Sequence, residues 1–189
     1  MKILFAFFFS AIAALVVLAG CKTSRKGYES APYSVGMRDG KFELRDYPTL
    51  TVVETRMSDG SGSSFQRLFR YISGNNQNDQ KIAMTTPVLM AGNQTQRFMS
   101  FVMPADMKSA PTPRDSEVRC TTIPSGRFAV LGFSGSQSSE AEAEASSQLL
   151  IWMKTKSLEP SGNAIFGYFD PPWTPPSLRR NEAMIRVKE

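Results

Sequence analysis

Between residues 41 and 188 the spacing of apolar residues runs through one order twice: strand, strand, helix, strand, strand. In the first pass KFELRDY at 41–47 sets Phe42, Leu44 and Asp46 on one face against Glu43, Arg45 and Tyr47, and TLTVVET at 49–55 is rich in β-branched residues that suit an extended backbone. Phe65, Leu68, Phe69 and Ile72 then fall at helical spacing, after a Ser/Gly cluster at 58–64 that supplies possible caps, and Gly74, Asn75 and Asn76 end the helix. KIAMTTPVLM at 81–90 and QRFMSFVM at 96–103 return to alternation, with Pro87 arguing for a bulge or an edge. The second pass holds strands at 117–123 and RFAVLGF at 127–133, a helix from Ser139 with Ala141, Ala145, Leu149 and Trp152 on one face, and strands at 164–169 and 183–188. Ser139 and Glu142 read as a capping box.

Each half alone offers one helical stripe and four half-buried strands, so neither buries its apolar faces unless the two pack together. The expectation is an α+β fold: a distorted, strongly curved, barrel-like sheet of eight strands, mixed or antiparallel and nearly closed, carrying two helices and built from two pseudo-repeated halves. A ferredoxin-like single sheet is the runner-up. With 41% hydrophobic and 21% charged residues, the composition supports one packed domain, expected over residues 33–189.

Ahead of that domain, Lys2 is followed by an uncharged apolar run from Ile3 to Gly20. A basic start, an apolar centre and a small-residue exit are the marks of a cleavable leader, so residues 1–20 read as a signal peptide. Leu18, Ala19, Gly20 and Cys21 resemble the lipobox of bacterial lipoproteins, which implies lipidation, including palmitate, at Cys21. Two or more acyl chains anchor a protein stably without spanning the bilayer. Lys22, where that pattern would carry Asp for inner-membrane retention, points to the outer membrane of the cell envelope, facing the periplasm or the outside. The polar stretch at 21–32 reads as a tether. An acylated Cys21 leaves Cys120 without a disulfide partner, and with no base to activate it Cys120 reads as a small buried hydrophobe.

The chain has no His among its 189 residues, which excludes the common Ser-His-Asp triad and His-ligated zinc or haem. No HExxH, glycine-rich phosphate cradle or GxSxG elbow occurs, so no enzyme is expected. Acids and bases are interleaved within a formal charge of +5, giving no basic block to track nucleic acid.

FELRDY at 42–47, FQRLFRYISGNN at 65–76, KIAMTTPV at 81–88, FVMP at 101–104, RFAVLGFSG at 127–135 and FGYFDPPWTPPSLRRNE at 166–182 together resemble the SOUL haem-binding family over residues 33–187. The resemblance implies a distorted eight-stranded barrel of two related halves with two helices. In members that carry an axial His it lies in the strand similar to FELRDY, and the matching residue here is Asp46, a poor haem ligand. Members without that His resemble weaker hydrophobic binders, in which the first helix offers apolar contacts and a basic side chain approaches a propionate. Carried over residue by residue, Phe65 and Phe69 would face the ring and Arg70 would pair with a carboxylate.

Read without the resemblance, Phe65 and Phe69 are core residues and Arg70 a solvated surface side chain. Met84, Met90, Met99 and Met103 could line a soft pocket, and Tyr47, Tyr71 and Cys120 are formal axial alternatives. In the DPPWTPP loop, Trp173 reads as a lid over the domain or as an exposed anchor. The expectation is a lipid-anchored envelope protein that binds haem or another hydrophobic tetrapyrrole with modest affinity and without catalysis. The alternative is an envelope structural or interaction protein, contacting protein or membrane, with no tetrapyrrole site.

Overall fold

Alternation along the strands puts apolar side chains on both faces of one large sheet. A computed structural model describes residues 27–58, 60–93, 95–107 and 109–188, so the leader, the lipobox with Cys21 and most of the tether lie outside the described residues. The strands are β1 (Glu29–Ser30), β2 (Ser34–Asp39), β3 (Phe42–Tyr47), β4 (Leu50–Arg56), β5 (Thr85–Thr86), β6 (Val88–Gly92), β7 (Arg97–Val102), β8 (Val118–Ile123), β9 (Gly126–Phe133), β10 (Pro160–Tyr168) and β11 (Asn181–Val187). Helix α1 (Ser61–Ile72) follows β4, α2 (Ser139–Thr155) follows β9, and a 3-10 turn (Pro176–Leu178) precedes β11.

Nine strands form one sheet in the order β2-β3-β9-β11-β10-β6-β7-β4-β8, with every neighbouring pair antiparallel. β1 and β5 make a separate parallel pair, so Glu29 and Ser30, within the expected tether, are ordered against Thr85 and Thr86. The expected eight-stranded, nearly closed barrel is not formed. The sheet is open, ending at β2 on one side and β8 on the other. β2 adds a ninth strand beyond β3, and the irregularity between Val35 and Met37 breaks its register. β8 presents Arg119, Thr121 and Thr122 to solvent. Polar, irregular edges of this kind do not pair with one another.

The two halves do not lie side by side as independent sheets. β3 of the first half pairs with β9 of the second, while β8 of the second pairs with β4 of the first. Each half therefore pairs its first strand with the other, and the single sheet is continuous only through that exchange.

Both helices lie on one face. Val53, Phe101 and Met90 meet Leu68, Tyr71 and Ile72 of α1, and Ala129, Leu131 and Ile185 meet Leu149, Trp152 and Met153 of α2. The next residues along the same strands, Val52, Val102, Leu89, Val130 and Met184, point the other way and form a third apolar cluster on the helix-free face. Pro87 lies between β5 and β6, at the start of a strand in the middle of the sheet rather than at its edge.

The helix ends differ in detail from expectation. α1 begins at Gly60 with no side-chain cap. α2 is capped by Ser138, whose Oγ accepts from the Ala141 amide at 3.2 Å. Glu142 is drawn inward, where its Oε1 accepts hydrogen bonds from Arg97 and Tyr168, so the expected capping box at Ser139 and Glu142 does not form.

Candidate ligand-binding surfaces

Helix α1 buries Ser64, Leu68, Tyr71 and Ile72. Phe65 and Phe69, one turn apart, stay 38% and 49% exposed. Their rings stack at 6.1 Å between centroids and 13° between planes, and Phe65 rests edge-on against the buried Phe101 at 5.2 Å. They are thus not core residues: the pair forms a flat apolar step on the surface, held from beneath by Phe101. Arg70, about 100° around the helix from Phe69, is largely exposed, with Nη2 3.6 Å from Asp115 Oδ2. Phe65 leans on Phe101 of β7, whereas Arg70 reaches Asp115 ahead of β8, on the other side of β4, so the structure brings the two phenylalanines together but sets the cation on the opposite flank of α1, shared with an acid.

The possible axial donors fare differently. Asp46 accepts from Arg127 Nε and Nη2 at 2.8 and 3.1 Å, and this guanidinium holds its carboxyl below the usual range. Met90, Met99 and Met103 are buried in the core under α1, and Met84 packs half-buried against it. Tyr71 is buried and donates to the Pro111 carbonyl at 2.7 Å; burial, then the nearby Cys120, raises its pKa. Burial likewise raises that of Tyr47. Cys120 is exposed on edge strand β8 rather than buried, with its sulfur 3.5 Å from the Tyr71 hydroxyl. Among the described residues no three His, Cys, Asp or Glu side chains gather as a metal site.

A second surface, absent from the sequence reading, lies on the helix-free face. A partly open slot is lined by Ala31, Tyr33, Tyr47, Leu89, Phe128 and Met184, with Phe169 and Arg180 also in its wall. Its volume is about 30 Å³, space for two or three water molecules at about 10 to 15 Å³ each. Beside it sits a buried polar cluster. Arg45 Nη1 and Nη2 donate to both oxygens of Glu182 at 2.8 and 3.0 Å, and Arg45 Nε donates to Glu43 at 2.6 Å. Arg180 Nε and Nη2 donate to Glu182 Oε1 at 3.0 and 2.6 Å. Burial opposes the charge on Arg45 and on Arg180, but Glu182 outweighs it and both remain raised above the ordinary guanidinium value. The guanidiniums of Arg45 and Arg180 also cover the rings of Tyr33 and Phe169 at 4.2 and 4.1 Å. Charged residues at alternate positions in FELRDY and NEAMIRV are the sequence signal for this cluster.

The DPPWTPP loop does not close as a lid. Trp173 is 81% exposed, while buried Thr174 and the bond from Arg179 Nε to its carbonyl at 2.7 Å anchor the loop.

The haem-binding resemblance is decided by comparison with known families, where the profile described as "SOUL heme-binding protein" matches residues 28–186. The chain belongs to the SOUL family. It is accordingly a member of a haem-binding, non-catalytic family, not an enzyme. No curated protein gives a significant match. Among solved structures, the C-terminal domain of EcmrR is similar at 13% identity and TM-score 0.58, covering 83% of this chain and 98% of that one. A hydrolase from Listeria innocua is similar at 15% identity and TM-score 0.56, covering 81% and 94%. At such identities these likenesses establish the fold alone.

The described residues fit a tetrapyrrole in one respect and not in another. The exposed Phe65–Phe69 pair suits a flat apolar ring. They supply no imidazole, and the helix-free slot is far smaller than the roughly 300 to 1,000 Å³ of ordinary ligand pockets, so a macrocycle does not enter it.

Proposed function

We propose that this SOUL-family protein is a lipid-anchored envelope protein that holds haem or a related tetrapyrrole on the outer face of α1, with modest affinity. The observation that carries this reading is the Phe65–Phe69 pair, left exposed with ring planes nearly parallel while the rest of the helix's apolar stripe is buried. Burying an aromatic face contributes about 25 cal/mol per Å², so a ring lying across both phenylalanines gains affinity without iron coordination. Arg70 would exchange its 3.6 Å contact with Asp115 for a bidentate one with a propionate.

The membrane attachment rests on Leu18 to Cys21 and the outer-membrane location on Lys22. Cys21→Ser should abolish incorporation of a fatty-acid analogue, and incorporation that persists would end the anchor.

For the ligand, the test is a haemin titration of residues 25–189 followed by the Soret band. Saturable binding in the low micromolar range should weaken about tenfold in Phe69→Ala, equivalent to about 1.4 kcal/mol, and by a smaller factor in Arg70→Ala. Absence of saturable binding would overturn the ligand while leaving the anchor intact.

A further inference from the structure

The loop that joins β10 to β11 carries no charged residue from Pro171 to Leu178. Trp173 and Leu178 in it are 81% and 65% exposed, more than any other large apolar side chain among the described residues. The loop is built to hold them outward. Pro171, Pro172, Pro175 and Pro176 fix their own φ and bring no N–H. The Thr174 amide donates to the Pro171 carbonyl at 3.0 Å, and the Leu178 and Arg179 amides donate to the Pro175 and Pro176 carbonyls at 2.9 and 3.2 Å. Arg179 donates to the carbonyls of Thr174 and Pro172, and the Gly135 amide to that of Pro176. Backbone groups satisfied in this way, or missing at proline, lower the cost of entering a poorly hydrated layer. Tryptophan, with an apolar ring and one N–H, favours the boundary between lipid headgroups and acyl chains.

The loop is rooted where the chain enters the domain. β1 pairs with β5, and the residues after β5, Pro87 and Val88, open β6. Val88 lies opposite Tyr168, and Tyr168 opposite Asn181, at the ends of the two strands that the loop connects. The Ala31 amide donates to the Thr86 carbonyl at 2.9 Å, and Arg180 hydrogen-bonds the Tyr33 side chain. The segment from Glu29 to Tyr33 and the Trp173 loop thus share one end of the sheet. Glu29 is eight residues from Cys21, a span of at most about 26 to 29 Å at full extension. Lys22, Arg25 and Lys26 lie between them, and anionic headgroups attract such residues. We infer that Trp173 and Leu178 dip into the headgroup boundary of the bilayer to which Cys21 is anchored, a second contact that fixes how the domain stands on the membrane. The inference rests on the Cys21 anchor proposed above and is independent of the tetrapyrrole reading, since Phe65 and Phe69 belong to α1.

The full-length chain, extracted from its membrane in detergent, should be reconstituted into vesicles of phosphatidylethanolamine and phosphatidylglycerol, with or without bromine on the acyl chains near the headgroup. Subtracting the emission of Trp173→Ala, which keeps the buried Trp152, leaves the emission of residue 173. That emission should fall at least about twofold when the lipid is brominated, because an indole at the boundary lies at the depth of the bromine. Leu178→Ser should lessen the quenching. Should Trp173→Ala alter the circular dichroism, Trp173→Phe serves for the same subtraction. Flotation of the vesicles reads the anchor separately. A chain that floats while its residue 173 emission ignores bromine would overturn the inference and leave the anchor standing, whereas a chain that does not float ends both. Emission that changes with protein density in unbrominated vesicles, and not with bromine, would assign Trp173 to a contact between copies and overturn the inference as well.

Discussion

Arg45 and Glu182 meet across β9, a strand that belongs to neither, through two parallel hydrogen bonds of 2.8 and 3.0 Å between nearly inaccessible side chains. Arg45 comes from the first half of the chain and Glu182 from the second, so this fork ties together the two halves on the face that has no helix. A buried pair is costly to desolvate, and its removal in one piece is far milder than its disruption.

Arg45→Met should therefore destabilise the fold by about 3 to 5 kcal/mol, because Glu182 loses its bidentate partner in a dry site. Arg45→Met with Glu182→Leu should recover part of the loss, because the dry carboxylate goes while Arg180 gives up its own bonds to Glu182. Urea unfolding of the two variants and the parent measures this, and a double variant no more stable than the single one would show that the charges carry no compensating role.

The alternation that located β3, β4, β9 and β11 also concealed this cluster. Glu43, Arg45 and Tyr47 lie opposite Phe42, Leu44 and Asp46 in sequence, and a charged alternate face reads as solvated. It is dry because the sheet has a second apolar cluster, from Leu50, Val52, Phe128, Val130 and Met184, on its other side. β2 was illegible for a different reason: SVGMRD has no apolar alternation and is held mostly by backbone pairing to β3. That missed strand, with the polar edge at β8, is why an expected barrel is an open sheet. Phe65 and Phe69 were legible as residues of α1, whereas their exposure was not, since spacing sets a helical face and not what covers it. Glu142 shows the same limit at a helix end, where tertiary partners Arg97 and Tyr168 displace a local cap.

Acid should weaken the contact between α2 and β2. Trp152 Nε1 donates to Asp39 Oδ2 at 2.9 Å, and Lys156 Nζ lies 2.9 Å from the same oxygen. The bond from Trp152, then Lys156, lowers the Asp39 pKa. A carboxyl lowered in the folded state adds stability above its unfolded value of about 3.9, and that stability disappears as pH falls through the folded value. In Trp173→Phe, where Trp152 is the remaining indole, emission should change below about pH 4. Asp39→Asn should remove that step. A titration unaltered by Asp39→Asn would detach the indole from this acid.

Cys120 should react with a maleimide in the native protein, without denaturant. The residue is exposed on the outermost strand, with its sulfur at the edge of the fold, 3.5 Å from the Tyr71 hydroxyl and 3.7 Å from the Pro111 carbonyl. Cys120→Ser should retain a hydrogen-bonding neighbour for Tyr71 and shift stability by less than about 1 kcal/mol. Labelling that requires urea would place the thiol inside the fold.

Iron should contribute little to tetrapyrrole affinity. The chain has no His, Asp46 is clamped by Arg127, and Met90, Met99 and Met103 are enclosed in the core. What remains is the Phe65–Phe69 step and Arg70, which interact with the plane and the carboxylate edge of a ring and not with its centre. Metal-free protoporphyrin should therefore bind residues 25–189 within about threefold of haemin, a difference under about 0.7 kcal/mol, and Phe69→Ala should weaken both alike. An axial ligand would behave otherwise: haemin would bind at least tenfold more tightly than the free ring, and its Soret band would shift on changing Met84 or Tyr47. Parallel fluorescence-quenching titrations with the two rings separate these outcomes.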